Sequence, residues 1–150
     1  MLKNINPLLN PNVLQVLAAM GHGDTLVLAD ANFPSESVAK KTTHGKVLRM
    51  DGANVVDAAD AVLSLLPLDT FIDNAAQCME VVGDPDAQPH VQQEVQAKIN
   101  QHEGEGFKLS PLERFAFYDK ASTSYAVLAT TERRFYGCFI LTKGVVPPEV

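Results

Sequence analysis

Two apolar rhythms alternate along this chain, and that alternation restricts its fold more than any other feature. Short runs of consecutive apolar residues, as in Thr25-Leu26-Val27-Leu28-Ala29, read as strands buried on both faces. Longer stretches with apolar positions three and four apart read as helices with one buried stripe. The first helix is expected over Pro11 to Met20, with Asn10 as N-cap, Pro11 in the first turn and Gly21 as the stop. A second strand is expected at Val47 to Arg49, then a helix from Val55 to Leu66 that Pro67 ends. Short apolar segments follow around Thr70 to Ile72 and Met79 to Val82. His90 to Gln101 is polar apart from Val91, Val95 and Ile99, which predicts a surface helix with a narrow buried stripe.

Ser110-Pro111-Leu112-Glu113 matches a capping box, with Ser110 as N-cap and Glu113 reaching back, and predicts a helix from Pro111 to about Ala121. Tyr125 to Thr130 and Phe139 to Leu141 read as buried strands. Strands interleaved with helices predict a layered α/β/α domain with a mainly parallel sheet. At 150 residues, with no repeat or linker, one domain over 1–150 is expected.

Composition removes several function classes. The formal charge of −6, from 12 basic and 18 acidic residues, opposes a nucleic-acid surface. Lys40-Lys41 and Arg133-Arg134 are the only basic pairs and are too short for such a stripe. No window has the length of a membrane span. Asn and Pro interrupt the apolar residues of MLKNINPLLNPNV, so no signal peptide is expected and a cytoplasmic location is. Cys78 and Cys138 have neither metal-like nor redox-like spacing and are expected to be buried thiols. His22, His44, His90 and His102 also lack ligand spacing, and no metal or cofactor is expected. There is no GxSxG, P-loop or HExxH, and Gly21-His22-Gly23-Asp24 lacks the preceding strand and third glycine of a dinucleotide fingerprint.

Polar residues where folding does not require them become the candidates. His22 lies between two glycines at a helix-to-strand junction, which lets an imidazole project into a cleft. A loop histidine meeting a helix dipole explains it equally simply. Asp30 follows the first strand, and ligands of open α/β sheets gather beyond the carboxyl ends of strands. An Asx-type turn is its structural alternative. Arg114 and Tyr118 are four apart and share a helix face. Tyr136 precedes the last strand.

Taken in order, LNPNVLQVLAAMGHGDTLVLADANFP, LLPLDTF, SPLERFAFYDKA and ERRFYGCFILTKGVV resemble the L-fucose mutarotases, a sugar mutarotase family that also contains the ribose pyranases. The similarity spans most of the chain and is weakest from Gly83 to Gly106. It implies an isomerase that interconverts the α and β anomers of a free monosaccharide, L-fucose first, without a cofactor. By this resemblance His22 is the proton donor, and Asp30, Arg114, Tyr136, Gly137 and Cys138 bind substrate. Asp69 and Tyr118 also match polar positions of the fucose branch, Asp69 taken with the substrate-binding residues and Tyr118 with the catalytic ones. Either Tyr118 or Tyr136 is expected to relay the second proton or to stack against the C–H face of the sugar. Arg114 in its ERFAFY context favours the fucose branch over the ribose branch.

Two departures bear on the choice of sugar. Cys138 stands where the family's tyrosine motif ends in asparagine, and a thiol is a poorer hydrogen-bonding group than an amide. Thr130-Thr131-Glu132 stands where the family reads TGE or SGE. The family also implies ring-shaped homo-oligomers, often decamers. His22 precedes the first strand and Asp30 follows it, and even four strand residues span roughly 13 Å. A site completed across a subunit interface is therefore expected. The competing reading is a sugar-binding module accessory to uptake, which needs Asp30 and Arg114 but gives His22 no task. A metal- or carboxylate-dependent aldose or keto isomerase is disfavoured by the missing ligand set.

Overall fold

The computed structural model describes residues 1–150. Six strands form one sheet: β1 (Thr25–Ala29), β2 (Val47–Met50), β3 (Ala76–Met79), β4 (Ser110–Leu112), β5 (Ala126–Thr130) and β6 (Phe139–Thr142). Their spatial order is β2-β5-β1-β6-β3-β4. β2, β5 and β1 pair in parallel, as do β3 and β4, while β6 runs antiparallel between β1 and β3. The sheet is thus mainly parallel, with one reversed strand in its interior.

Alternation along each strand feeds two apolar layers. Leu26, Leu28, Leu128, Phe139 and Leu141 point to the larger core, with α1 (Pro11–Ala19), α3 (Val55–Leu63) and α4 (His90–Glu103). Val27, Val127 and Ile140 point to a smaller core with α2 (Ser35–Ala39) and α5 (Arg114–Ser122). Three layers result, the α/β/α arrangement the two apolar rhythms predict.

Helix signals are mostly obeyed. The Asn10 side chain accepts from Val13 N at 3.1 Å with Pro11 in the first turn, and Val91, Val95 and Ile99 are all buried on α4. Three boundaries move. Met20, in an extended conformation, caps α1 in place of Gly21, and it is Gly23 that takes the positive φ of 87°. α3 ends at Leu63, although Leu66 N still reaches Val62 O at 2.9 Å. Of the short apolar segment at Met79–Val82 only Met79 belongs to a strand, β3 over Ala76–Met79, where β6 and β4 supply partners on both sides.

The largest correction concerns Ser110-Pro111-Leu112-Glu113. Residues Ser110–Leu112 form edge strand β4, paired with Gln77–Met79. Pro111 is tolerated there because an edge strand has one side free of the ladder. Glu113 is itself the N-cap of α5, accepting from Phe115 N and Ala116 N at 2.9 and 3.0 Å. These bonds hold its carboxyl below the ordinary value.

Candidate functional site

The sequence-derived site residues separate into two groups, at opposite ends of β1. Beyond its carboxyl end, a cavity of about 370 Å³ is lined by Asp30, Arg114, Tyr118, Tyr136 and Cys138, with Asn32, Phe33, Met79, Val82 and Phe135. It sits where β6 reverses the sheet, so loops after β1 and β3 face the loop that enters β6. That size falls near the lower end of small-ligand pockets and suits a single small polar molecule.

Each polar group in this cavity is held by its own element. Asp30 is buried, and its Oδ1 accepts from Asn32 N and Phe33 N at 3.0 Å each. The turn reading and the ligand address are therefore compatible: one carboxylate oxygen shapes the loop and the residue still faces the cavity. Arg114 and Tyr118 share one face of α5, with Arg114 Nε donating to the Tyr118 hydroxyl at 3.3 Å. Tyr118 is also packed against Phe33, ring centroids 5.6 Å apart. The Tyr136 hydroxyl accepts from Val82 N at 3.2 Å. Cys138 is buried, and burial together with the neighbouring Asp30 carboxylate pushes its thiol well above the ordinary value. It is a neutral wall group, not a thiolate nucleophile.

Gly137 shapes the wall. A Cβ there would approach Glu132 Cγ to 3.0 Å and Asp30 Cβ to 3.4 Å. Any side chain at this position would press the tyrosine loop away from Asp30.

His22 and Asp69 meet at the other end. His22 Nε2 lies 3.1 Å from Asp69 Oδ1, which also accepts from Phe71 N at 3.0 Å. Asp69 is buried whereas the His22 side chain is 45% exposed, so the imidazole has a fixed side and a free side. The Phe71 amide, followed by the His22 contact, holds the Asp69 carboxyl below its ordinary value against the opposing effect of burial. A carboxylate facing Nε2 favours the tautomer with its proton on that nitrogen, which leaves Nδ1 as the ring's acceptor.

The sequence brings these two loops together through the end of β6. Gly23 N donates to Lys143 O, Lys143 N to Asp24 O, and Gly144 N to Pro67 O, all at 2.8 Å. Gly144 is required for this closure, since a Cβ would fall 2.5 Å from Leu68 O. The Asp24 side chain accepts from Gly21 N at 2.7 Å and tightens the Gly-His-Gly turn. His22 is therefore not simply a loop histidine at a helix end.

The five residues of β1 separate the two groups by roughly 16 Å of strand. Apolar side chains stand exposed at both ends: Phe71 against His22 with Ile72 next in sequence, and Phe135 and Val82 in the cavity lining with Phe115 packed edge-on against Tyr118. Sequence reasoning missed the apolar lining and two buried polar groups behind it, Gln92 and Glu132. A glutamine on a polar helix and a glutamate in a charged loop carry no local signal of burial. No three His, Cys, Asp or Glu side chains converge as a metal site, and no helix is long and apolar enough to cross a membrane.

Known proteins carry the same framework. An L-fucose mutarotase of Actinobacillus pleuropneumoniae is 42% identical over 98% of this chain and 99% of its own length. A fucose mutarotase of Danio rerio is 44% identical, covering 99% of this chain and 96% of the relative. The crystal structure of the fucose mutarotase from Streptococcus pneumoniae in complex with L-fucose superposes with a TM-score of 0.87 at 39% identity, over 97% of this chain and all of that one. Residues 3–146 match a single family model, spanning both ends of the sheet and every candidate residue, so the chain belongs to the RbsD / FucU transport protein family.

Proposed function

We propose that this protein is a sugar mutarotase that interconverts the α and β pyranose anomers of a free monosaccharide, with L-fucose the preferred substrate. The observation that carries the reading is the full-length correspondence to L-fucose mutarotases joined to a cavity in which Asp30, Arg114, Tyr118 and Tyr136 converge. Mutarotation removes the proton from the anomeric O1 and delivers one to the ring oxygen. The C1–O5 bond breaks, the aldehyde turns about one bond, and closure occurs on the other face. A proton donor, a proton acceptor and groups that hold the remaining hydroxyls are sufficient, and acid-base transfer typically contributes about 10²- to 10⁴-fold.

In this reading Asp30 accepts from sugar hydroxyls through Oδ2, the oxygen that the two loop amides do not use, and Arg114 donates to them, both as charge-assisted bonds. Tyr136, Gly137 and Cys138 form the facing wall. His22 Nδ1 exchanges one proton with the substrate, and Asp69 orients the ring through Nε2 instead of touching sugar itself. Tyr118, fixed by Arg114, serves as the second proton-transfer group.

The separation of His22 from the cavity supports a site shared between copies. A head-to-tail contact joins the Phe71–His22 end of one protomer to the Phe135–Phe115 rim of the next, and repetition of such a contact closes into a ring. Both exposed apolar patches would then be covered, and each cavity would receive a histidine from its neighbour. A protein that remains a monomer by light scattering at nanomolar concentration with full activity would overturn this arrangement.

Magnetisation-exchange NMR between anomers of L-fucose, D-ribose and D-galactose tests the activity. The wild type should accelerate exchange of L-fucose most, and the His22→Ala protein should not accelerate it while still binding. Binding of every sugar without acceleration would favour a non-catalytic sugar-binding module.

A further inference from the structure

Tyr136 is one of only two non-glycine residues with positive φ, at 61°. Bulky residues avoid this region, and one held there persists only where its surroundings over-determine it. Two buried polar side chains do so. Glu132, 3% exposed, lies beneath the turn from Thr131 to Gly137. Its Oε1 accepts from Arg134 N and Arg134 Nε, and its Oε2 from Arg134 Nη2, each at 2.9 Å. A buried carboxylate is costly unless its lone pairs are filled, and here the turn's own amide and guanidinium fill them. The same guanidinium pairs with Glu94 on α4, and the Glu132 carbonyl accepts from Ala31 N at 2.8 Å, beside Asp30.

Gln92, 5% exposed and also on α4, holds the other side. Its Nε2 donates to Met79 O at 2.8 Å and to Tyr136 O at 3.2 Å, bridging two walls of the cavity through one amide. The turn is thus gripped from α4 at two points, and Gly137 lies directly on the Glu132 stem.

We propose that Glu132 and Gln92 are positioning residues for Tyr136: together they hold its backbone in the left-handed conformation that places the phenol against the sugar, without touching substrate themselves. This rests on the mutarotase reading only for its kinetic consequence. Misplacement of a contact group by about 1 Å can cost on the order of 100-fold in rate. Glu132→Gln, which keeps shape and removes charge, and Gln92→Met, which keeps volume and removes the donors, should each lower kcat/KM about 10- to 100-fold.

The decisive comparison combines kinetics with tyrosine-ring NMR. The chain has only three tyrosines, so ring signals of Tyr118, Tyr125 and Tyr136 can be followed singly. In both variants the Tyr136 signal should shift or broaden while Tyr125 is unchanged. In a Tyr136→Ala background Glu132→Gln should cost less than about twofold, because residues acting through one group are not additive. Full additivity in that background, or an unmoved Tyr136 signal, overturns the proposal. If Glu132→Gln does not fold, Gln92→Met carries the same two readouts. If the wild type accelerates no anomer exchange, the mutarotase reading fails while the ring signals still decide the positioning claim.

Discussion

The two ends of β1 are built on different physical terms. At its carboxyl end Asp30 is buried, its turn is closed by two backbone amides, and four side chains converge on one cavity. At its amino end His22 is nearly half exposed, held by a single buried carboxylate and flanked by Phe71, itself 73% exposed. One end is a cavity lined within the protomer; the other is a half-exposed imidazole oriented by one carboxylate. On the proposed reading, the fold presents the two parts of the reaction on separate surfaces and leaves assembly to join them.

Removing the imidazole should have the largest effect. His22→Ala is expected to lower the anomer-exchange rate by about 10²- to 10⁴-fold with little change in sugar affinity, read by exchange NMR and titration calorimetry. Asp30→Asn should come next, weakening binding about 10- to 100-fold, as expected for a hydrogen bond to a charged group worth about 1.5–3 kcal/mol. Mixing the two variants, assayed at sugar concentrations well below KM where both are impaired, tests whether the ends act in trans. After co-refolding, about a quarter of the head-to-tail interfaces hold an intact His22 opposite an intact Asp30, and activity should return to that extent. No recovery would mean that the two ends do not act together across subunits.

Asp69→Asn sharpens the contrast by a smaller step. The amide still accepts from Phe71 N but no longer fixes the imidazole as a carboxylate does, so kcat should fall about tenfold with KM nearly unchanged. An equal rise in KM would instead give Asp69 a direct contact with sugar, as the family resemblance suggests.

Much of this contrast was legible in the sequence, and the rest was hidden for identifiable reasons. β1 occupies the five residues its apolar run marks, and Asp30 takes the address just beyond its end. Asn10 and Pro11 start α1 as their chemistry dictates. Local signals sufficed there because no distant element competed. Ser110 and Glu113 carry a capping pattern, but pairing of β4 with β3 takes the first three residues for the sheet and leaves the glutamate to cap alone. α2 has five residues and no apolar period long enough to register. The His22–Asp69 contact joins residues 47 apart and depends on how the end of β6 gathers two loops. Glu132 and Gln92 become site residues only once α4 lies against the tyrosine turn.

Acid should separate the two ends by the smallest and most diagnostic effect. The Arg134 guanidinium holds the Glu132 carboxyl down to about 2, and backbone amides hold Glu113 below the ordinary range. An unfolded glutamate titrates near 4.3, so below about pH 5 the unfolded chain takes up protons that the folded chain does not. Their stabilisation is therefore complete above that point and is lost as pH falls toward about 2. For Glu132 the part lost between pH 6 and 3 is on the order of 1–2 kcal/mol, out of about 3 in all, or a few degrees of Tm at ~2–4 °C per kcal/mol. Melting curves between pH 6 and 3 should fall less steeply for Glu132→Gln than for the wild type. Tyr136 ring signals should persist through this range until global unfolding, because Glu132 keeps its charge until the chain itself yields. Loss of the Tyr136 signal while the rest of the protein remains folded would place the weaker structure at the cavity end and reverse the comparison.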